Sequence, residues 1–570
     1  MNQRAVKTLP VIVSGLFAAT MVGLAIAGGV INYSPIPTGD SWYGVIGFLI
    51  RMQNGNYAEW WAQHNEHRIV LSRILFWIDY KYFGWAGGFL IVANYFMVVL
   101  GCYVFLNYIR RVRSGLVAAN KNILALWLFI VGILFSWVQV ANLTHEFQSQ
   151  FFLAQALPLA ALYWLARSNE SSSLVDFSIA CLVALLSAGA MGNGVLTFPV
   201  MFLYALVMRA EYKRCLALLT FAVVVPAMYF YDHTGNPGAG SLRNELLSNP
   251  IGLLHYALLY LGSPFYYFVG GGNTGRSLAA GAGMLMVILS VGLAGWYGCG
   301  RDKYRPPFIL ALIAFIAYVG GTAIGTAGAR LSFGLDQALS SRYTTPAIMA
   351  WAALIVTLWG HTSGQGIAKK VGASFLVVVA PLMIVYQFKT LDNGDLKRHV
   401  RNVAALALEL GVKDSDFLQN GADMTDYTLF YRNDAKELGL GPFGRYPWVG
   451  LGRQVGTKAE LAPNGACIGY LDSAVAIAGS PEYARIYGWF FDPSAKRSPR
   501  LLQFVSNQGV TLGFGLTGMP REGLKTAVDA TAGLAGFDAY ILKSSAGMPV
   551  RAFGDNPSCH LDLVIPMLGP

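Results

Sequence analysis

The sequence is poor in charged residues for its length. Only 12% of its 570 residues are Asp, Glu, Lys or Arg, whereas 55% are hydrophobic, and the mean hydropathy is +0.47. Soluble domains carry roughly 25% charged residues. The composition therefore excludes a string of ordinary soluble domains and indicates a protein whose main solvent is a lipid bilayer.

Charged residues are also absent from the interiors of the long apolar runs. Eleven runs approach the ~20 residues that an α-helix needs to cross a membrane. We predict spans at 9–30, 86–108, 123–141, 150–166, 177–190, 195–208, 216–231, 278–298, 308–325, 346–359 and 371–388. Ionisable groups inside spans usually mark ion or proton pathways, so their absence argues against an ion-coupled pump. The absence of an internal repeat further weakens a transporter interpretation.

Lys and Arg concentrate in every second loop between these runs. Because such residues are enriched in cytoplasmic loops, the amino terminus is predicted inside and the carboxyl terminus outside. Much of the net charge of +11 lies in these loops, which explains it without nucleic-acid binding. The apolar stretch 251–268 would invert the pattern if it spanned, so we predict an interfacial helix on the outer face.

Cysteine is scarce, and no CxxC or His-rich spacing indicates a structural metal site. Of the six cysteines, Cys467 and Cys559 lie in the part predicted outside. An oxidising compartment permits these two to pair. Sequence alone does not tell whether their Cα atoms lie close enough for a bond.

The hydropathy pattern divides the chain into three parts. Residues 1–390 form an all-α polytopic membrane domain with a long first outer loop at 31–85. Helical patterns follow at 396–410 and 426–438, within a helical neck predicted at 391–455. Residues 456–570 contain short β-rich segments broken by Gly, Pro and Asn, and we predict a β-sandwich within a C-terminal α+β domain. The strand segments are 484–491, 501–505, 510–514, 537–542 and 561–565.

Polar residues that could carry chemistry cluster where predicted spans emerge outside. They are Asp40, His64, Glu66, His67, Arg68, His145, Glu146, Asn193, Arg330, Arg342 and Tyr343. Arginine is disfavoured in outer loops, and a lipid phosphate would supply a reason for its presence.

Several of these residues also have a simpler interpretation. Asp40 could cap the helix predicted from Trp42 to Met52, and Glu146 could be a helix-start charge. Arg68 could anchor the helix predicted at 68–80 to head groups, and Arg342 could mark a membrane boundary. The polar run from His64 to His67 could simply be solvated.

Two motifs in the membrane part resemble the GT-C class of integral membrane glycosyltransferases. Thr38-Gly39-Asp40-Ser41-Trp42 places an acidic residue early in a long first outer loop, ahead of an interfacial helix. Ser341-Arg342-Tyr343-Thr344-Thr345-Pro346 is similar to a short Arg-Tyr signature of bacterial members. The resemblance covers residues up to about Phe388 and is mainly architectural.

The C-terminal part is similar to β-domains appended to bacterial glycosyltransferases. The similar residues are Tyr487-Gly488-Trp489-Phe490-Phe491-Asp492-Pro493, Arg521, Val528 and Gly536-Phe537. Such domains often carry an Arg-x-Asp-Val run, whereas here Arg521-Glu522-Gly523 is followed only by Val528.

The resemblance implies inverting transfer of a hexosyl or pentosyl group from a polyprenyl-phosphate donor to an acceptor hydroxyl. The acceptor would be a protein such as a pilin, or a cell-envelope glycan. The location would be the bacterial inner membrane, with the C-terminal domain in the periplasm. A lipid-linked sugar flippase and a non-catalytic envelope scaffold are the alternative functions.

The resemblance and general chemistry together assign roles to individual residues. Asp40 is the candidate base, and Glu146 would orient the acceptor or sugar. Arg342 and Arg330, then Arg68, with Tyr343, would bind the donor phosphate. The groove between Tyr256 and Tyr267 would hold the lipid chain or sugar. No cofactor is assigned, and a divalent metal held by Asp40 and Glu146 is left open.

Overall fold

The computed structural model describes residues 3–112, 120–234, 240–298, 305–361, 379–392, 394–421, 426–460 and 465–568. The chain forms two compact units. Unit 1 comprises Met1–Ile31, Trp60–Leu75 and Leu90–Asp392, and unit 2 comprises Asn32–Glu59, Phe76–Phe89 and Asn393–Pro570. The long loop predicted at 31–85 is therefore shared between the two units.

Most of the chain up to Leu391 is helical. In chain order the helices are α1 (Gln3–Ile31), α2 (Phe48–Gln53), α3 (Val70–Phe83), α4 (Gly88–Val112), α5 (Asn120–Leu134), α6 (Val140–Thr144), α7 (Ser149–Ser171), α8 (Leu174–Ala188), α9 (Thr197–Val207), α10 (Tyr212–Phe230), α11 (Leu242–Ser248), α12 (Pro250–Phe268), α13 (Gly272–Gly298), α14 (Pro307–Arg330), α15 (Thr344–His361) and α16 (Val379–Leu391).

Eight helical segments among the described residues are long and apolar enough to cross a membrane. They are Thr8–Ile31, Gly88–Val112, Asn122–Thr144, Glu146–Ser171, Tyr212–Phe230, Gly272–Gly298, Pro307–Phe333 and Ser341–His361. Each coincides with a predicted span, and α8, α9 and α16 are shorter apolar helices at three more. The helices indicate a multi-pass membrane protein, while the count of eleven and the orientation stay predictions. The first part of the predicted span 371–388 lies outside the described residues.

Local sequence explains where several helices begin and how closely they pack. Ser173 accepts a hydrogen bond from the Asp176 amide at 3.1 Å and caps α8, because short polar side chains satisfy free amides at helix starts. Helices α12 and α13 touch backbone to backbone. A Cβ at Gly262 would lie 1.8 Å from the Ala279 carbonyl oxygen, and one at Gly283 would lie 2.1 Å from that of Leu258. Small residues at this contact are typical of packed membrane helices.

The first segment of unit 2 is helical, as predicted for 42–52. A π-helical turn at Trp42–Gly47 continues into α2, and Gly55, with φ of +84°, follows its end. Ser41 directly precedes this turn, and its side chain makes no capping hydrogen bond. Arg51 on α2 hydrogen-bonds to Tyr431 within the same unit.

The C-terminal part of unit 2 contains a helical layer and one antiparallel sheet. The helices are α17 (Asp395–Leu410), α18 (Ser415–Gly421), α19 (Asp426–Glu437), α20 (Leu451–Gln454) and α21 (Gly523–Ala527). The strands are β1 (Ile468–Ala476), β2 (Tyr483–Phe491), β3 (Leu501–Ser506), β4 (Thr511–Met519), β5 (Gly536–Leu542), β6 (Pro549–Asp555) and β7 (Ser558–Val564). Their order in the sheet is β1-β2-β5-β4-β3-β6-β7.

The predicted β-sandwich is therefore replaced, in the described part of the chain, by one curled sheet. The sheet curls enough that its two edges meet: the Cys467 amide donates to the His560 carbonyl at 2.9 Å. Cys467 and Cys559 are joined by a disulfide, with their Cα atoms 5.4 Å apart. Side chains from both edge strands, such as Leu471 and Cys559, share one apolar core with Phe504 and Ile541.

Candidate functional site

Two arginines lie at the same end of a pair of apolar helices in unit 1. Arg330 is the last residue of α14, and Arg342 lies two residues before α15. The connection is a run of short 3-10 turns, in which Gly334 takes a φ of +98° that other residues avoid. The loop therefore presents two guanidinium groups where the helix pair ends.

The main chain around Arg342 is held in place by side chains from the α5–α6 region. Asn142 donates from Nδ2 to the Arg342 carbonyl at 2.8 Å and to Thr345 Oγ1 at 2.7 Å. Ser341 Oγ donates to the Val138 carbonyl at 2.8 Å. These bonds fix the backbone of Arg342 and leave its side chain for other contacts.

The Arg342 guanidinium has no hydrogen-bond acceptor within the part of the chain that the structure describes. Its Nε is buried without a partner, and its central carbon lies 5.2 Å from the centre of the Tyr343 ring. A buried donor that is left unpaired costs free energy of about 1–3 kcal/mol, and more when it is charged. Arg342 is thus set up to bind an anion.

Arg330 is instead paired with Glu66. Its Nη2 donates to both carboxylate oxygens of Glu66, at 2.7 and 2.9 Å. The two side chains are partly exposed, at 23% and 17%. An ion pair that water can reach is weak enough for another anion to compete with it.

His67 lies beside this ion pair in a tight turn. The main chains of His64 and His67 exchange two hydrogen bonds, of 2.7 and 2.9 Å. Burial lowers the pKa of His67 from 6.5 to about 4, Glu66 opposes this, and Arg330 adds to it. The imidazole is therefore neutral at physiological pH, and its Nδ1 has no hydrogen-bond partner among the residues that the structure describes.

Gly192 and Asn193 approach His67 from the turn between α8 and α9. A Cβ at Gly192 would lie 2.8 Å from His67 Nδ1, so glycine allows the close contact. Asn193 donates from Nδ2 to Thr322 Oγ1 at 3.3 Å, and its other amide atom is buried without a partner.

Tyr256 on α12 completes the group. The residue is 0% exposed, and its hydroxyl has no hydrogen-bond partner in the described part of the chain. Burial raises the pKa of Tyr256, while the positive charges of Arg342 and Arg330 oppose the rise. Tyr343 stacks at 5.3 Å from Tyr260, one turn along α12.

Arg68 has a different environment from the two loop arginines. Its nitrogens donate to the main-chain carbonyls of Tyr229, Trp61 and Tyr231 at 3.0, 2.6 and 2.9 Å. The residue is 5% exposed. Arg68 is engaged in holding chain segments together, so its role in binding the donor phosphate stays a prediction and ranks below that of Arg342 and Arg330.

The segment that carries His145 and Glu146 is also well fixed. Asn94 donates to the His145 carbonyl at 3.1 Å, and His145 Nδ1 accepts from the Phe147 amide at 3.2 Å. Glu146 is buried, with one oxygen 3.7 Å from His145 Nδ1. The His64 ring packs 4.9 Å from that of Phe147. The structure thus brings this segment next to the His64–His67 turn.

Asp40 belongs to unit 2, whereas the residues above belong to unit 1. Its side chain is exposed at the start of the helical segment that continues through Trp42. Gly39 immediately before it has a φ of +51°, which allows the turn into the helix.

A metal site at these positions stays a prediction. Across the described ranges, the group of three potential ligands with suitable spacing is Cys467, Asp492 and Cys559. Its two sulfurs are joined in a disulfide and offer no thiolate, so this donor set does not fit a metal.

Sequence reasoning missed two members of the site. His233 Nε2 lies 3.3 Å from the Glu66 carbonyl oxygen, and Gly192 makes room for His67. Neither position stands out in the sequence, because an isolated His or Gly after a span has no distinguishing pattern. Comparison of the chain with protein-family models and with curated proteins finds no match.

Proposed function

We propose that this protein is an integral membrane glycosyltransferase that moves a hexosyl or pentosyl group from a polyprenyl-phosphate donor to an acceptor hydroxyl. The acceptor is a protein such as a pilin, or a cell-envelope glycan, on the periplasmic face of a bacterial inner membrane. The observation that carries the proposal is the pair Arg330 and Arg342, placed together where two apolar helices end.

A lipid phosphate matches this placement in both charge and position. Its head group lies at the membrane boundary, where the ends of α14 and α15 are expected, and guanidinium groups bind phosphate through two parallel hydrogen bonds. A small apolar cavity of about 30 Å³ lies between α12, α15 and α16, and Phe265, Phe268, Trp351 and Met383 are among the residues that line it. Because this volume holds little more than a water molecule, the cavity carries no argument for the lipid tail.

The reaction replaces one C–O bond with another. The acceptor oxygen attacks the anomeric carbon, the bond from that carbon to the phosphate oxygen breaks, and the anomeric configuration inverts. Asp40 takes the proton of the acceptor hydroxyl. The departing phosphate gains negative charge, which Arg342 and Arg330 stabilise because they are already in place.

Binding of polyprenyl phosphate to detergent-purified protein tests the phosphate site. Arg342→Ala should weaken the affinity by about tenfold to a hundredfold, the size expected for a charged hydrogen-bonding partner. Arg276→Ala is the matched control, because Arg276 forms an exposed ion pair with Asp336 in the loop that carries Arg330 and Arg342. Equal affinities in wild type, Arg342→Ala and Arg276→Ala would refute the phosphate site.

Turnover tests the transferase itself. Polyprenyl-phosphate sugars are supplied with envelope acceptors, and the release of polyprenyl phosphate is followed. Asp40→Asn should reduce release by about 10²–10⁴-fold while donor binding is kept, because a general base contributes about this much. Donor binding without release by the wild type would favour the flippase or scaffold functions.

A further inference from the structure

Three polar side-chain atoms lie on chain segments near the arginine pair. His67 Nδ1, one amide atom of Asn193 and the Tyr256 hydroxyl are each buried and have no hydrogen-bond partner among the described residues. More than 90% of buried polar groups in native proteins are paired. Three such atoms from three separate chain segments therefore need a common explanation.

The three residues are linked to the arginines and to one another. His67 follows Glu66, whose carboxylate holds Arg330 at 2.7 Å. Asn193 follows Gly192, at which a Cβ would lie 2.8 Å from His67 Nδ1. Tyr256 lies one helical turn from Tyr260, whose ring centre is 5.3 Å from that of Tyr343, the residue after Arg342. The unsatisfied atoms thus lie around the proposed phosphate site.

We propose that His67, Asn193 and Tyr256 form a subsite that binds hydroxyl groups of a neutral sugar on the donor. This inference rests on the proposed function and adds the class of sugar. A sugar hydroxyl both donates and accepts, so it can satisfy an amide, an imidazole nitrogen or a phenol whichever proton arrangement each has. A site built this way rejects analogues that lack the hydroxyl, because its own groups are then left unpaired.

The balance of charge favours a neutral sugar over an acidic one. Arg330 and Arg342 supply two positive charges, Glu66 supplies one negative charge, and a phosphodiester supplies one more. His67 adds none, because burial keeps its pKa at about 4. Glu146, on the segment bonded to the Arg342 backbone, adds only negative charge. Both guanidinium charges are thus balanced before the carboxylate of a uronic acid is added, and the basic group nearby is the His233 imidazole, 3.3 Å from the Glu66 carbonyl oxygen. An unpaired buried charge is costly.

The test compares ligands that all carry the negative charge of a phosphodiester and that differ in the attached sugar. Polyprenyl methyl phosphate is a phosphodiester with no sugar. Its affinity is compared with those of polyprenyl-phosphate glucose, mannose, galactose, arabinofuranose and glucuronic acid, using wild type, Asn193→Ala and His67→Ala. Asn244→Ala and His255→Ala are matched controls, because both residues are exposed on neighbouring helices.

We expect at least one neutral sugar to increase wild-type affinity over the methyl phosphate by about tenfold. Asn193→Ala and His67→Ala should each reduce this increase in affinity by about fivefold to tenfold, the change expected from the loss of one hydrogen bond. Neither variant should change the affinity for polyprenyl methyl phosphate. Unchanged methyl phosphate affinity also shows that the variants are folded. The two control variants should behave as wild type.

Three results would overturn the inference, and they differ in what they say of the function. An unaltered sugar increment in both variants would refute the subsite while keeping the phosphate site. Tightest binding of the glucuronic acid ligand would refute the preference for a neutral sugar. Failure of the wild type to bind any of the phosphodiesters would refute the proposed function and the subsite with it.

Discussion

The arginines of the 60–73 segment and those of the α14–α15 loop invite comparison, because sequence statistics treat them alike. Arg68 and Arg73 donate to main-chain carbonyls, Arg73 through a 2.6 Å bond to Ala62, and both are almost fully buried. Arg330 is held by a partly exposed carboxylate, and Arg342 has no acceptor among the described residues.

The difference separates arginines that build the fold from arginines that can bind a ligand. A guanidinium group that is held by several main-chain carbonyls cannot turn to a phosphate without breaking those hydrogen bonds. One whose donors are unused, or shared with a single carboxylate near water, can do so at little cost. The number of hydrogen bonds that an arginine already makes within the protein, and not its position in an outer loop, indicates whether it can bind a ligand.

The largest effect should come from removing Arg68. Arg68→Ala leaves the carbonyls of Trp61, Tyr229 and Tyr231 without their donor, so we expect about 3–5 kcal/mol lower stability and poor recovery of folded protein. Thermal unfolding of the purified protein in detergent measures this. Arg243→Ala, at an exposed position on α11, is the control. An Arg68→Ala protein as stable as the wild type would contradict the distinction between arginines that hold the fold together and arginines that bind a ligand.

Lysine substitution should sharpen the comparison. Arg342→Lys keeps a positive charge and should weaken phosphate binding by only about fivefold, because Lys binds phosphate as a point charge. Arg68→Lys cannot span three carbonyls with one ammonium group and should lose roughly 2 kcal/mol of stability. Affinity and unfolding are measured on both variants. If Arg342→Lys and Arg68→Lys lowered the free energy of unfolding by the same amount, the two arginines would have the same role.

Arg330 is intermediate between Arg68 and Arg342, because its guanidinium group is paired with one partly exposed carboxylate, that of Glu66. Glu66→Gln removes the negative charge that competes for Arg330, so affinity for polyprenyl phosphate should rise by about threefold to tenfold. Glu245→Gln, on exposed α11, should have no effect. Weaker binding in Glu66→Gln would mean that the ion pair positions Arg330 instead of occupying it.

The smallest expected effect is a dependence of stability on pH. Burial holds the pKa of His67 near 4 in the folded protein, whereas in the unfolded chain it is about 6.5. Between these values only the unfolded chain binds the proton, so the free energy of unfolding should fall as pH drops from 6.5 towards 4. The loss at pH 6, relative to pH 8, should be about 0.8 kcal/mol. His67→Gln should remove this part of the pH dependence, and His255→Gln should retain it.

Most of the fold prediction came from two patterns in the sequence, the length of the apolar runs and the alternation of apolar and polar residues in the strands. The predicted spans match apolar helices because about 20 apolar residues have few other stable arrangements. Strands β1 and β6 were missed. A bulge between Leu471 and Ser473 interrupts the alternation in β1, and Pro549 opens β6. The single curled sheet could not be foreseen either, because strand order depends on pairings far apart in sequence.

The candidate site was only partly accessible from sequence. Charged residues near span ends could be found, but their partners could not. Arg68 and Arg342 differ because Tyr229 and Tyr231 offer carbonyls to Arg68, whereas no acceptor among the described residues faces Arg342. Tyr256 was named from the sequence as part of a groove, but the sequence could not show that its hydroxyl lacks a hydrogen-bond partner among the described residues.

The contacts of Arg68 also constrain how the protein is made. Two of its three carbonyl partners are synthesised more than 160 residues after it. At about 5–20 residues per second, the ribosome needs roughly 8 to 30 seconds to produce them. Throughout that interval the guanidinium group must be held by water or lipid head groups. Insertion of α10 then closes the segment around Arg68, so the loop that carries Glu66 and His67 matures late in biogenesis.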